Sequence, residues 1–212
     1  MRPRIVVVGA GGHAKVILDL LEQQGELDIV GCTDPSTAGG DVLGYPILGS
    51  DAILPDLFAS GVHHGFIAIG DNNVRSKTFG LLRGIGIILI NVISSRAVIS
   101  RHASLGAGIA VMGGAVINTG SVVGDGAIIN TGAIVDHDCH VSEYAHICPG
   151  AALAGCVQIG QGALVGTGAS IKPGMSVGAW TTVGAGAVVV RDLPARVTAI
   201  GVPAVIVDRK TN

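Results

Sequence analysis

Aromatic residues are nearly missing: three Phe, two Tyr and one Trp make up 3% of 212 residues. The core must therefore be aliphatic, and Val, Ile, Leu and Ala supply most of the 49% hydrophobic content. Charge is scarce too, at 13% with a formal net of −2, so the chain lacks the clustered Lys and Arg that nucleic acid demands. A mean hydropathy of +0.62 would suit a membrane protein. No run of about 18 apolar residues occurs, however, because Gly, Asn, Asp or His interrupts every long segment. The opening RIVVVG stops at a glycine turn and does not read as a secretory signal. The four cysteines, Cys32, Cys139, Cys148 and Cys156, form no C-x-x-C pair, which points to reduced thiols in a cytoplasm.

Glycine, by contrast, is abundant, with 34 residues, and it falls in a rhythm. From Ile99 to Val189 run sixteen consecutive hexads, each opening with Ile, Leu or Val. The fourth position is Gly in ten of them, and the fifth is mostly small, as at Ala115, Ser121, Ala127, Ala133 and Cys139. A period of six fits neither a helix nor plain strand alternation, but it suits short strands turned at fixed corners in a parallel β-helix. Three hexads make one triangular coil, so residues 18 apart stack about 4.8 Å apart, and the prism has roughly five coils over about 25 Å. Such hexapeptide prisms resemble the left-handed β-helix, an exception to the right-handed crossover rule.

Before the repeat, Arg4 to Val8 reads as a strand, Gly9 to His13 as a tight loop, Ala14 to Gln24 as a helix, and Asp28 to Cys32 as a second strand ending at Thr33-Asp34. Gly9, Gly11 and Ala14 fit a phosphate-binding fingerprint at a helix N-terminus. A third strand, Gly65 to Ile69, runs into a second polar turn at Gly70-Asp71-Asn72-Asn73. About 90 residues give only one mononucleotide-binding half, so a nucleotide-sugar fits better than a dinucleotide. Gly11, Gly12 and His13 are then expected near the phosphates, and Asp34 at the base or ribose. The alternative is a glycine loop that serves only strand-to-helix geometry. The expected domains are 1–93, an α/β nucleotide-sugar-binding unit, and 94–212, an all-β left-handed β-helix with a C-terminal tail.

Two hexads break the pattern. Val135 to His146 reads VDHDCH and VSEYAH, with Asp136, His137, Asp138, His140, Glu143, Tyr144 and His146 in twelve positions. The other fourteen, cysteine apart, hold only Arg101, His102, Asp125, Lys172, Arg191 and Asp192 as titratable residues. Lapses in a self-consistent pattern are expected at functional sites. Asp138 takes a corner normally held by Gly, and His137 precedes it, a pairing suited to a general base near neutral pH. One coil further lies Gly155, whose N–H is placed to meet a developing oxyanion. A surface histidine beside a carboxylate is the plain alternative. His146 reads as a site, interface or filler residue, His140 and Glu143 as a solvated edge, His63-His64 as loop, and His102 as an ordinary corner. No three histidines stack in one chain, so no metal is expected.

The stretches GAGGHAKVILDLL, FIAIGDNNVRSK, INTGAIVDHDCHVSEYAHICPGAALAG and IGVPAVIV, with the unbroken hexads, resemble the bacterial left-handed β-helix acetyltransferases of amino sugars. That group includes sialic acid O-acetyltransferases and nucleotide-linked 4-amino-sugar N-acetyltransferases. The resemblance implies a homotrimer with active sites between neighbouring prisms, using acetyl-CoA. It implies His137 as general base and Asp138 as its tuner. It places Asn130, His146, Gly155, Thr167, Ala185 and Pro203 on the acetyl-CoA side, and Gly11, Gly12, His13, Asp34 and Gly70 on the nucleotide-sugar side. Direct transfer is expected rather than an acyl-cysteine, because neither Cys148 nor Cys156 has a clear activating base beside it. An O-acetyltransferase acting on sialic acid or another sugar hydroxyl, and a non-catalytic sugar-nucleotide-binding scaffold, remain as alternatives.

Overall fold

The computed structural model describes residues 2–35 and 39–207. It divides into two compact units, Met1–Val92 and Ile93–Asn212.

The first unit opens with β1 (Arg4–Val8), α1 (Gly12–Gln24) and β2 (Asp28–Thr33), followed by a hairpin of β3 (Asp41–Val42) and β4 (Tyr45–Pro46). It continues through α2 (Leu54–Ala59), β5 (His64–Ile67), α3 (Asn72–Ile85) and β6 (Ile88–Leu89). The main sheet runs β2-β1-β5-β6, with every neighbouring pair parallel. Parallel strands are covered on both faces, which is why β1 reads as an unbroken apolar run and Ile5 to Val8 are wholly buried. Helix α1 buries Ala14, Ile17, Leu18 and Leu21, a stripe at helical spacing, and stops at Gly25 in the left-handed region. Helix α3 is capped by Asp71, whose side chain accepts the Val74 N–H at 2.9 Å. Pairing with Ile5 and Ile88 draws His64 into β5, so the expected loop at His63-His64 is a strand entry. His63 packs edge-on against Phe58, with ring centroids 4.8 Å apart.

The second unit places a two-residue strand every six residues, from Val92–Ile93 to Val188–Val189. Through Ser170–Ile171, each strand pairs in parallel with the one 18 residues on, as in Ile117 with Val135, Leu153 and Ile171 in turn. Three sheets of eight, six and five strands form the faces of a three-sided prism. The hexad openers and the small fifth residues fill its axis: Val135, Val141, Ile147, Ala133, Ala145 and Ala151 are fully buried. Fourth-position glycines turn the corners with left-handed φ, for example 72° at Gly114 and 66° at Gly150.

The coil is longer than the repeat. It starts one hexad early, at Ile93, and continues beyond Val189. There the stacking interval shortens from 18 to 16, with Val177 over Leu193 and Val183 over Ala199. An even shift keeps side chains on the same face, so Leu193 and Ala199 still point inward and are buried. The last strand, Val205–Val207, pairs antiparallel with Thr198–Ile200. No helix among the described residues is long and apolar enough to cross a membrane.

Candidate active site

His137 and Asp138 form the corner between strands Ile134–Val135 and His140–Val141. Both stand clear of the prism, with side chains 54% and 62% exposed. Asp138 holds the left-handed conformation of the glycine it replaces, at φ 57°. That backbone costs a side chain roughly 1 kcal/mol, and Asp is one of the few residues that tolerate it. The corner aims the carboxylate at the ring: Asp138 Oδ2 lies 2.9 Å from His137 Nδ1. A carboxylate only accepts, so the neutral imidazole carries its proton on Nδ1 and its lone pair on Nε2.

Glycines above and below make this possible. A Cβ at Gly120, one coil before, would strike the Asp138 carboxylate. A Cβ at Gly155, one coil after, would strike Nε2 and Cε1 of His137. The space over Gly155 is thus taken by the His137 ring, which lies across that backbone. At most corners the fourth-position N–H is spent on the coil before, as when Cys156 N–H donates to His137 O at 2.9 Å. At Thr131 and His137 the preceding side chain takes the third-position N–H, through Asn130 Oδ1 and Asp136 Oδ1, both at 2.8 Å. Ala154 offers Gly155 no such acceptor, and among the described residues the Gly155 N–H makes no backbone hydrogen bond.

The imidazole backbone is held tightly. Asp136 Oδ1 also accepts from Asn118 Nδ2 at 2.9 Å, and Ser121 Oγ donates to Asp136 O at 2.6 Å. The hydrogen bond to Asp138, and then the charge of Asp136, raise the His137 pKa above the ordinary imidazole value. The Asn118 amide, and then the His137 N–H, hold Asp136 below the usual carboxylate range.

The residues expected on the acetyl-CoA side do not all gather here. Gly155 shares the corner column of His137. Thr167 and Ala185 belong to another column, with Thr131 and Pro149, linked by Gly150 N–H to Thr131 O at 2.9 Å, Gly168 N–H to Pro149 O at 3.0 Å and Gly186 N–H to Thr167 O at 2.8 Å. Asn130 and His146 adjoin that second column and meet at 3.0 Å between Nδ2 and Nε2. Pro203 is exposed in the turn before the last strand.

In the first unit the structure brings all five nucleotide-sugar candidates together. Gly11, Gly12, His13, Asp34 and Gly70 line one cavity of about 290 Å³. It lies at the carboxyl ends of β1, β2 and β5, where the connections leave β1 in opposite directions, the switch point at which open parallel sheets bind ligands. Gly9 turns at φ 106°, and a Cβ there would press on Ala68 O at 2.8 Å. Gly11 caps α1 without a side chain, so the first-turn N–H groups face the cavity as donors for an anion. Asp34 Oδ2 accepts the Ala10 N–H at 3.1 Å, fixing the loop. Burial first, and then the Arg75 charge, lower the His13 pKa to about 4, so the ring is neutral. Among the described residues its buried Nε2 has no hydrogen-bond partner.

Residues 4–82 match the PglD N-terminal domain family. Among solved structures, a perosamine N-acetyltransferase variant from Caulobacter crescentus, in complex with CoA and GDP-perosamine, is 48% identical over 96% of both chains, with a TM-score of 0.92. The acetyltransferase domain of PglB from Neisseria gonorrhoeae, in complex with acetyl coenzyme A, is 37% identical over 98% of this chain and 100% of that one, with a TM-score of 0.92. WeeI from Acinetobacter baumannii is 30% identical over 96% and 99%, with a TM-score of 0.87. The chain belongs to the left-handed β-helix sugar acetyltransferases. A comparison with curated proteins finds no match.

Two residues that brace the candidate sites carry little signal in the sequence. Asn118 stands one coil before Asp136, so the 18-residue register pointed to their contact, although nothing marked Asn118 as unusual. Arg75 is 1% exposed and donates to Ile69 O at 3.0 Å, Gly70 O at 3.1 Å and Asn72 Oδ1 at 2.8 Å, bracing the second polar turn. An arginine on an amphipathic helix reads as solvated surface, so its burial left no signal.

Proposed function

We propose that this acetyltransferase moves the acetyl group of acetyl-CoA onto the amine of a nucleotide-linked amino sugar destined for a surface glycan or polysaccharide. The observation that carries this reading is the His137–Asp138 pair, at 2.9 Å, on a corner that any simpler repeat would give to Gly. The amine attacks the thioester carbonyl while His137 Nε2 takes its proton. The Gly155 N–H donates to the oxygen as it gains charge, and the C–S bond then breaks to release the thiol of CoA. Thiols leave readily, so no covalent enzyme intermediate is required. Holding both reactants supplies proximity, and a positioned base adds about 10² to 10⁴ in rate.

The cavity between Gly11 and Gly70 is assigned to the nucleotide diphosphate, with α1 N–H groups and neutral His13 toward the phosphates and Asp34 toward base or ribose. Two corner columns of one prism divide the acetyl-CoA residues, which supports a homotrimer in which the His137 column of one copy faces the Asn130–His146 column of the next. Four free thiols fit a cytoplasmic protein.

The test follows thiol release from acetyl-CoA with GDP-perosamine, the ligand of the Caulobacter relative, and with free sialic acid. Turnover is expected with the amino-sugar nucleotide. Turnover with sialic acid alone would replace the amine by a hydroxyl, and binding without turnover would leave a scaffold. His137→Ala is expected to lower turnover at least about 10²-fold while nucleotide binding persists. Undiminished turnover would remove His137 as the base.

A further inference from the structure

We propose that the catalytic corner is also an inhibitory site for a thiophilic divalent cation, zinc above all, formed by His137, Asp138 and Cys156. One ligand atom from each of the three, an imidazole nitrogen, a carboxylate oxygen and Sγ, lies within 4.8 Å of the other two. Zinc binds sulfur at about 2.3 Å and nitrogen or oxygen at about 2.0 to 2.2 Å, so two of its ligands stand at most about 4.5 Å apart. A small rotation of exposed side chains closes that difference. All three residues are exposed on the single chain, and three ligands leave a fourth tetrahedral position for water.

The register explains the cluster. Asp138 and Cys156 are both fourth-position residues, 18 apart, and both hold the left-handed corner, at φ 57° and 62°. The fold stacks them on one edge, with the His137 ring between their coils over Gly155. A search for stacked histidines overlooks this set because only one member is a histidine. Thiolate, imidazole and a single carboxylate favour zinc and its soft neighbours over magnesium or calcium, which take oxygen.

The consequence rests on the reading of His137 as base. A neutral imidazole has one lone pair, and coordination uses it. If the metal takes Nε2, the nitrogen that would accept the substrate proton is blocked; if it takes Nδ1, the remaining proton moves to Nε2. The direct transfer proposed above gives Cys156 no role, and its replacement by Gly restores the residue that the repeat uses at this corner.

Two measurements on the full-length protein test the proposal. In the first, Co²⁺ is titrated as a probe with no substrate present. A thiolate-to-cobalt charge-transfer band in the near ultraviolet is expected in wild type, lost in Cys156→Gly and weakened in His137→Ala. A wild type without the band, or a band that survives Cys156→Gly, overturns the site. In the second, acetyl transfer is measured against buffered Zn²⁺ and, as control, Mg²⁺. Zinc is expected to inhibit wild type at least about tenfold more strongly than Cys156→Gly, whose uninhibited rate stays near wild type. Equal inhibition of both proteins also overturns it. A cobalt band without zinc inhibition keeps the site and refutes the inhibitory role, and with it the dependence on His137 as base.

Discussion

At residue scale, one corner illustrates how a repeat is bent to chemistry. Asp138 accepts a backbone conformation that suits Gly, and in return its carboxylate fixes the tautomer of the adjacent ring. This contact heads the causes that raise the His137 pKa, so the neutral, proton-accepting form appears at higher pH than for a free imidazole. Turnover should therefore rise with pH along a limb set above the ordinary value of about 6.5. Asp138→Asn is expected to move that limb to lower pH and reduce its plateau, since the tautomer is no longer imposed; a pH–rate profile of kcat/KM reads both. Gly155→Ala tests the stacking in the other direction. The added methyl must displace the imidazole, and turnover should drop at least about tenfold with the fold retained, as seen by circular dichroism. His137 and Asp138 were legible in the sequence because they interrupt a strict pattern. Asn118, Arg75 and the reach of Cys156 were not, because each residue is unremarkable until the register or the packing gives it a neighbour.

At the scale of elements, the strands of the prism are two or three residues long and contribute little alone. Their stability lies in the inward column. Ile147 and Ala145 are both fully buried, one as a large filler and the other as a small wall residue. Ile147→Ala should cost about 2 to 5 kcal/mol through the cavity it leaves, and Ala145→Leu about 1 to 3 kcal/mol through crowding, both measurable by denaturant unfolding. The contrast checks that size is specified at each hexad position. Periodicity carried this much of the fold plainly, because six-residue spacing is set by strand and corner geometry. It failed where the period itself changes. From Leu193 onward the coil drops two residues per turn and stays in phase on its inner face, so a strict count of hexads stops too soon. In the first unit the β1–α1–β2 opening followed its glycine and apolar spacing, while α2 and the β3–β4 hairpin are too short to leave a periodic trace.

At the scale of the whole molecule, the division of candidate residues between two columns makes a prediction about assembly. His137→Ala and Asn130→Ala should each be nearly inactive alone. If each active site draws His137 from one subunit and Asn130 from another, trimers reassembled from an equal mixture regain about a quarter of wild-type activity, because a site is intact only when both contributors are sound. Recovery at the level of the separate variants would place both residues in the site of a single chain.

The final strand bears on a different hazard. A stack of identical parallel coils has ends that invite another coil, and nothing in the repeat itself says when to stop. By running Val205–Val207 against the direction of every strand beneath it, the chain presents an incoming copy with hydrogen-bonding groups in the wrong polarity. The molecule thus carries its own terminator on its tallest face, a guard against growing into a fibre.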